Sequence, residues 1–111
     1  MDGKLLTIKR EVTSWSGVQE EREASGTVAL RYGEHELGRL DLADGTADLP
    51  VPQEIRDDLL LEGRAEPHRA GSEDLVSYPV EGEEDLAVVL EILGANYDRA
   101  RGAAGEERNL P

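Results

Sequence analysis

The chain has 111 residues, a usual size for one domain and too short for two cores of ordinary size. It contains no cysteine, which excludes disulfides, thiol redox chemistry and thiolate zinc sites. With 12 basic and 25 acidic residues the formal charge is −13, so DNA, RNA and anionic membranes are repelled at most approaches.

No stretch of the sequence approaches the ~18 apolar residues that a membrane span requires, so we expect a soluble, cytoplasmic protein. The acidic, arginine-rich composition has two explanations: adaptation to a high-salt cytoplasm, or a coding bias with an ordinary acidic surface. The first explanation predicts a melting temperature that climbs steeply between low salt and molar potassium chloride. A melting temperature that does not change with salt would rule out the high-salt explanation.

The first predicted element is a helix. Leu5, Ile8, Val12 and Trp15 recur at steps of three and four and form one apolar stripe, with Gly17 as the stop. The charged run that follows has no such stripe, and we expect a loop or the lead-in to a strand there. Alternating β-branched and polar residues then predict three strands separated by tight turns, at residues 27–32, 36–42 and 46–49.

A second helix is predicted over residues 52–62, with Ile55, Leu59 and Leu60 turned inward and a boundary at Gly63. Two further extended segments, 65–70 and 75–80, surround a polar turn.

The last helix begins with three acidic residues from Glu83 and has the clearest apolar stripe of the chain, at Leu86, Val89, Leu90, Leu93 and Tyr97. Gly94 within this helix predicts a close approach to the sheet. Residues 102–111 are mainly Gly, Ala and charged residues with a single Leu, which predicts a flexible tail behind a single domain at 1–101.

The order α-β-β-β-α-β-β-α predicts an α+β fold: an antiparallel five-stranded sheet with about three helices, mainly on one face. The patterns alone reach no further than this fold class. No phosphate-binding glycine loop, G-x-S-x-G elbow or H-E-x-x-H pair is present.

Two histidines could carry proton transfer. His35 falls in a predicted hairpin tip, where a solvated turn residue is the better interpretation. His68 follows Arg64 and Glu66 in an extended segment whose alternation places all three on one sheet face, where neighbours could tune its pKa. The alternative is an ordinary polar sheet position with a weak surface ion pair.

Three aspartates, Asp41, Asp44 and Asp48, surround a predicted turn. Their spacing lacks the alternating ligands and the distal Glu of an EF-hand loop, so turn chemistry explains them better than calcium. We predict no metal site and no cofactor.

Several short stretches, taken in order, resemble the luciferase-domain family, small prokaryotic relatives of the fungal luciferases. The similarity covers residues 14–99, and its most specific run is G-R-A-E-P-H. The matching pieces are Trp15-Ser16-Gly17-Val18, Leu37-Gly38, Ala47-Asp48-Leu49-Pro50, Ile55-Arg56-Asp57, Gly63-Arg64-Ala65-Glu66-Pro67-His68, Val76-Ser77, Asp85-Leu86 and Tyr97.

The resemblance implies little about activity, because most prokaryotic relatives have no assigned role. The fungal enzymes oxidise a hydroxylated styrylpyrone with dioxygen and need no metal or flavin; light emission is not carried over to this chain. Relatives often have a G-H-x-H stretch near Arg39 and Asp41 and a tryptophan where Leu75 stands, so chemistry that needs those groups is in doubt here. The segment 76–97 is more faintly similar to the MmcQ/YjbR-type domains, whose proposed DNA binding does not suit the charge.

Three functional hypotheses follow. The leading one is binding of a small, partly aromatic or apolar molecule between the sheet and a flanking helix, lined by Arg39, Arg64, His68 and Tyr78. The second is a cofactor-independent oxygenase in which His68 is the catalytic base that deprotonates a phenolic or enolic substrate. The third is a non-enzymatic interaction module, including a homodimer.

Overall fold

The computed structural model describes residues 3–23, 26–67 and 75–109, with side chains to residue 102. His68 lies outside the described residues. The elements in chain order are α1 (Gly3–Thr13), β1 (Val18–Arg22), β2 (Thr27–Tyr32), β3 (His35–Asp41), β4 (Thr46–Pro50), α2 (Gln53–Leu61), β5 (Glu66–Pro67), β6 (Leu75–Pro79) and α3 (Glu83–Asn109).

The strands form one sheet in the order β1-β2-β3-β4-β6-β5, in which every neighbouring pair is antiparallel. The α+β class and the antiparallel sheet are confirmed, but the prediction of five strands is wrong, because the sheet has six. The additional strand is β1, in the charged run for which the sequence predicts a loop or the lead-in to a strand. Only Val18 of this edge strand is buried, so it has no apolar alternation, and its pairing with β2 alone defines it.

The core lies between the sheet and two helices. Val28, Leu40, Ala47 and Tyr78 are neighbours across four strands and therefore project from the same face, where all four are buried. Both α1 and α3 contribute to this core, as the prediction of helices mainly on one face requires. The opposite face, called here the open face, carries Arg39, Asp48 and Ser77.

The close approach between helix and sheet occurs at Gly38, not at Gly94 as predicted. A Cβ atom at Gly38 would lie 2.8 Å from Cδ2 of Leu93, which is buried on α3. At Gly94 it would meet only Trp15, at an ordinary 3.8 Å. Gly94 on the helix therefore faces the turn after α1. Gly38 on the strand is the glycine that allows α3 to pack closely on the sheet.

The second helix is packed more loosely than its pattern predicts. Only Leu59 is buried on α2, whereas Ile55 is 39% exposed, so the prediction that Ile55 faces the core is wrong. The predicted boundary is confirmed by a Schellman motif: Gly63, at φ +73°, donates to the Leu60 carbonyl, and Arg64 donates to the Leu59 carbonyl.

The third helix is anchored by aromatic contacts at its centre. Tyr97 donates a 2.6 Å hydrogen bond to the Ser16 carbonyl, and its ring packs against Trp15 and Tyr32. The helical backbone continues to Asn109, through the segment whose composition predicts a tail. The division of the chain into a domain and a tail stays a prediction. Among the described residues, no helix combines the length and apolar character of a membrane span.

Candidate functional site

Four polar residues cross the open face in one line. Arg39 on β3 is the register partner of Asp48 on β4, Asp48 is that of Ser77 on β6, and Ser77 is that of Glu66 on β5. Register partners project from the same side of a sheet, so the four side chains form a row, called here the polar row. The order of charge along it is positive, negative, neutral hydroxyl, negative.

Hydrogen bonds organise the polar row. The Ser77 hydroxyl donates to Asp48 Oδ1 at 2.8 Å. At the other end, Arg39 Nε donates to Glu36 at 2.8 Å, and a second guanidinium nitrogen donates to Glu23 at 2.9 Å. The hydrogen bond to Glu36 raises the pKa of Arg39, and the carboxylates of Glu36, Glu23 and Asp48 act in the same direction. The arginine is therefore a permanent cation held in a defined position.

A hollow of about 230 Å³ lies beside the row on the open face. Its lining has five carboxylates and no basic side chain: Asp41, Asp44, Thr46, Asp48, Glu66, Ser77, Pro79 and Glu81. Over the described ranges, no three Asp, Glu or His side chains are arranged to hold a metal ion. The hollow therefore offers hydrogen-bond acceptors to a small molecule and is walled mainly by polar groups.

Two of the predicted ligand-binding residues lie elsewhere. Arg64 and Tyr78 line an adjoining pocket of about 310 Å³ next to the start of α3, which shares Pro79 and Glu81 with the hollow. The Tyr78 ring is buried on the helix-covered face, whereas Arg39 is on the open face, so the structure does not bring Arg39 and Tyr78 together. Arg64 precedes β5 and lies in the pocket with Tyr78, while Glu66 lines the hollow, so Arg64 and Glu66 line different pockets.

The pocket at Tyr78 has a structural explanation. The Tyr78 hydroxyl donates to Asp85 Oδ1 at 3.2 Å. Asp85 Oδ2 accepts hydrogen bonds from the backbone N–H groups of Gly82 at 2.9 Å and Glu81 at 3.0 Å. The hydrogen bond from Gly82 lowers the pKa of Asp85, and burial raises the pKa of Tyr78. Asp85 thus satisfies donors at the N-terminus of α3, as in a capping box.

The two remaining hypotheses, the oxygenase and the interaction module, stay predictions. The oxygenase depends on His68, whose placement is not described. The interaction module predicts a large apolar patch, whereas the large apolar side chains exposed in the described part of the chain are Ile55 and Leu61, both on α2.

Sequence reasoning missed Ser77, Glu36 and Glu23 as partners within the site. Ser77 alternates with Tyr78 in a predicted strand, and this alternation already places Ser77 opposite the core. Glu23 carries no comparable signal, because its contact with Arg39 depends on how β1 and β2 pair.

Comparison with protein families identifies the family of this chain. The family model described as Luciferase domain matches residues 34–96, more than half of the chain. All four members of the polar row fall within the match. No curated protein and no solved structure matches the chain. On the family match, the chain belongs to the luciferase-domain family.

Proposed function

We propose that this luciferase-domain protein binds a small polar organic molecule on the open face, with Arg39, Asp48, Ser77 and Glu66 as the binding residues. The proposal rests on the alignment of these four side chains on one face of the sheet. These four residues are far apart in the sequence, fall within the family match and stand side by side across four strands. Solubility alone does not require such an alignment.

The chemistry of the row defines the class of ligand. Arg39 still has N–H donors for a carbonyl, carboxylate or phenolate oxygen, while Asp48 and Glu66 accept from hydroxyl or amino groups. With strands about 4.8 Å apart, the four residues span about 14 Å, so a one-ring molecule contacts part of the row and a longer molecule is needed to reach both ends. A ligand with an acidic or carbonyl oxygen at one end and donor groups at the other complements this order.

This ligand differs from the aromatic or apolar molecule that the sequence predicts. The four aromatic side chains belong to the packed core or lie against it, and none lines the hollow. An aromatic ring in the ligand is compatible with the site, but recognition comes from its polar substituents. Binding is proposed without light emission.

The test begins with crystals of the wild-type protein soaked in a fragment library that includes hydroxybenzoates, aminophenols and small sugars. We expect fragments on the polar row, with an oxygen near Arg39. Each hit is then titrated in solution against Arg39→Gln and Asp48→Asn. Each variant should weaken binding about tenfold, since each removes one charge-assisted hydrogen bond.

Two control variants change the net charge by the same amount at exposed helix positions outside the site. Arg10→Gln on α1 matches the arginine variant, and Asp58→Asn on α2 matches the aspartate variant. Both should bind as the wild type does. Fragments that never occupy the row, or that bind the row variants as well as the controls, would refute the proposal.

A further inference from the structure

A third concavity, called here the groove, lies away from the polar row, where β4 leaves the sheet and passes the second half of α3. It has a volume of about 360 Å³, within the range of small-molecule sites. Its apolar lining includes Leu37, Val51 and Ala100, which are between 1% and 9% exposed. The groove therefore has a packed apolar floor, which the hollow on the open face lacks.

A buried amide holds this groove in shape. Asn96 is 8% exposed, and its Nδ2 group donates to the carbonyls of Leu37 and Pro50, both at 2.9 Å. One side chain of α3 thus connects the helix to β3 and to the end of β4. A ligand that enters the groove does not have to pay the ordering cost of forming it.

The polar groups at the rim favour an anion. Arg99 donates to Asn96 Oδ1 through one nitrogen and is otherwise exposed, which leaves most of its five N–H donors for a ligand. His35 lies on the same rim. Glu36 is the one carboxylate in the lining, and its Oε1 accepts a hydrogen bond from Arg39 at 2.8 Å, which offsets part of its negative charge.

We infer that this groove is a second binding site, for a small organic anion with a compact apolar body. The apolar part lies on Leu37 and Val51, and the acidic group meets Arg99. The groove shares no lining residue with the hollow, although Glu36 at its rim is hydrogen-bonded to Arg39 of the polar row.

The test uses three probes in ¹⁵N-edited NMR titrations of the full chain: benzoate, benzamide and acetate. Benzoate should produce saturable shifts at Leu37, Val51 and Asn96. Benzamide lacks the charge and acetate lacks the ring, so each should bind several-fold more weakly. Equal binding of either analogue at these amides would overturn the inference, as would the absence of saturable benzoate shifts there.

Variants of residues at the rim of the groove provide the second part of the test. Arg99→Gln should weaken benzoate binding about tenfold, and Arg99→Lys should retain most of it. Arg101→Gln is the matched control, because Arg101 lies over the Tyr97 ring and not in the groove lining. Asp48→Asn in the polar row should leave benzoate binding unchanged. Loss of binding in the control or in Asp48→Asn, or full binding by Arg99→Gln, would contradict the assignment.

Discussion

Adding one methyl group at Gly38 tests how closely α3 packs on the sheet. The new Cβ would lie 2.8 Å from Leu93 Cδ2, 3.2 Å from Leu49 Cδ2 and 3.3 Å from the Asp48 carbonyl oxygen. Leu93 would have to retreat by about 0.6 Å to reach the 3.4 Å of ordinary contact. Since Leu93 and Leu49 are both fully buried, that movement displaces other core side chains.

Overpacking a core by a methyl group costs about 1–3 kcal/mol, and replacing a strand glycine by alanine returns about 0.5–1 kcal/mol through the unfolded state. Gly38→Ala should therefore lower the free energy of unfolding by about 1–2 kcal/mol. Urea denaturation followed by far-UV circular dichroism measures this as a lower midpoint with an unchanged slope.

Gly94→Ala is the matched control, because it adds the same methyl group on the helix side. Its nearest neighbour would be Trp15 at 3.8 Å, and alanine is a better helix former, so we expect stabilisation of about 0.5–1 kcal/mol. If Gly38→Ala is as stable as the wild type, or if Gly94→Ala is the more damaging change, the reasoning about helix packing is refuted.

Three further predictions concern stability. Asn96→Leu should destabilise the protein by about 2–4 kcal/mol in urea unfolding, because it removes the Nδ2 donor from two backbone carbonyls of the sheet; a neutral effect would contradict this role. The folded-state pKa of Asp85 is lowered, so its contribution is present above about pH 4 and is lost as the pH falls through the folded pKa. Asp85→Asn should therefore flatten the acid limb of a plot of stability against pH, and an unaltered limb would count against it. Gly17→Ala should cost about 1–3 kcal/mol, since φ is +85° and the new Cβ would lie 2.5 Å from the Tyr32 ring; an unchanged thermal midpoint would argue against that clash.

Local patterns in the sequence predict most of the elements. The strand at 27–32 and the hairpin that follows it are confirmed, because alternation and turn residues act within a few positions of each other. The C-terminal boundary of α2 at Gly63 is confirmed for the same reason, since a left-handed residue is required there.

The same patterns do not predict how distant segments meet. β1 has one buried residue and carries no alternation, so only its pairing with β2 makes it a strand. The contact of Gly38 with Leu93 joins residues 55 positions apart, and neither residue's neighbours indicate it. Long-range pairing is decided by the whole sheet, where a shift of one residue turns every side chain to the other face.

The candidate site likewise combines features that the sequence predicts with features that depend on long-range pairing. The sequence by itself determined the acidic charge, the absence of cysteine, the α+β class and the residue types available for binding, because these follow from composition and short-range periodicity. Only the tertiary structure decided that Arg39, Asp48, Ser77 and Glu66 form one row while Tyr78 faces the core. That outcome depends on the register of four strands, which backbone hydrogen bonds between distant segments establish.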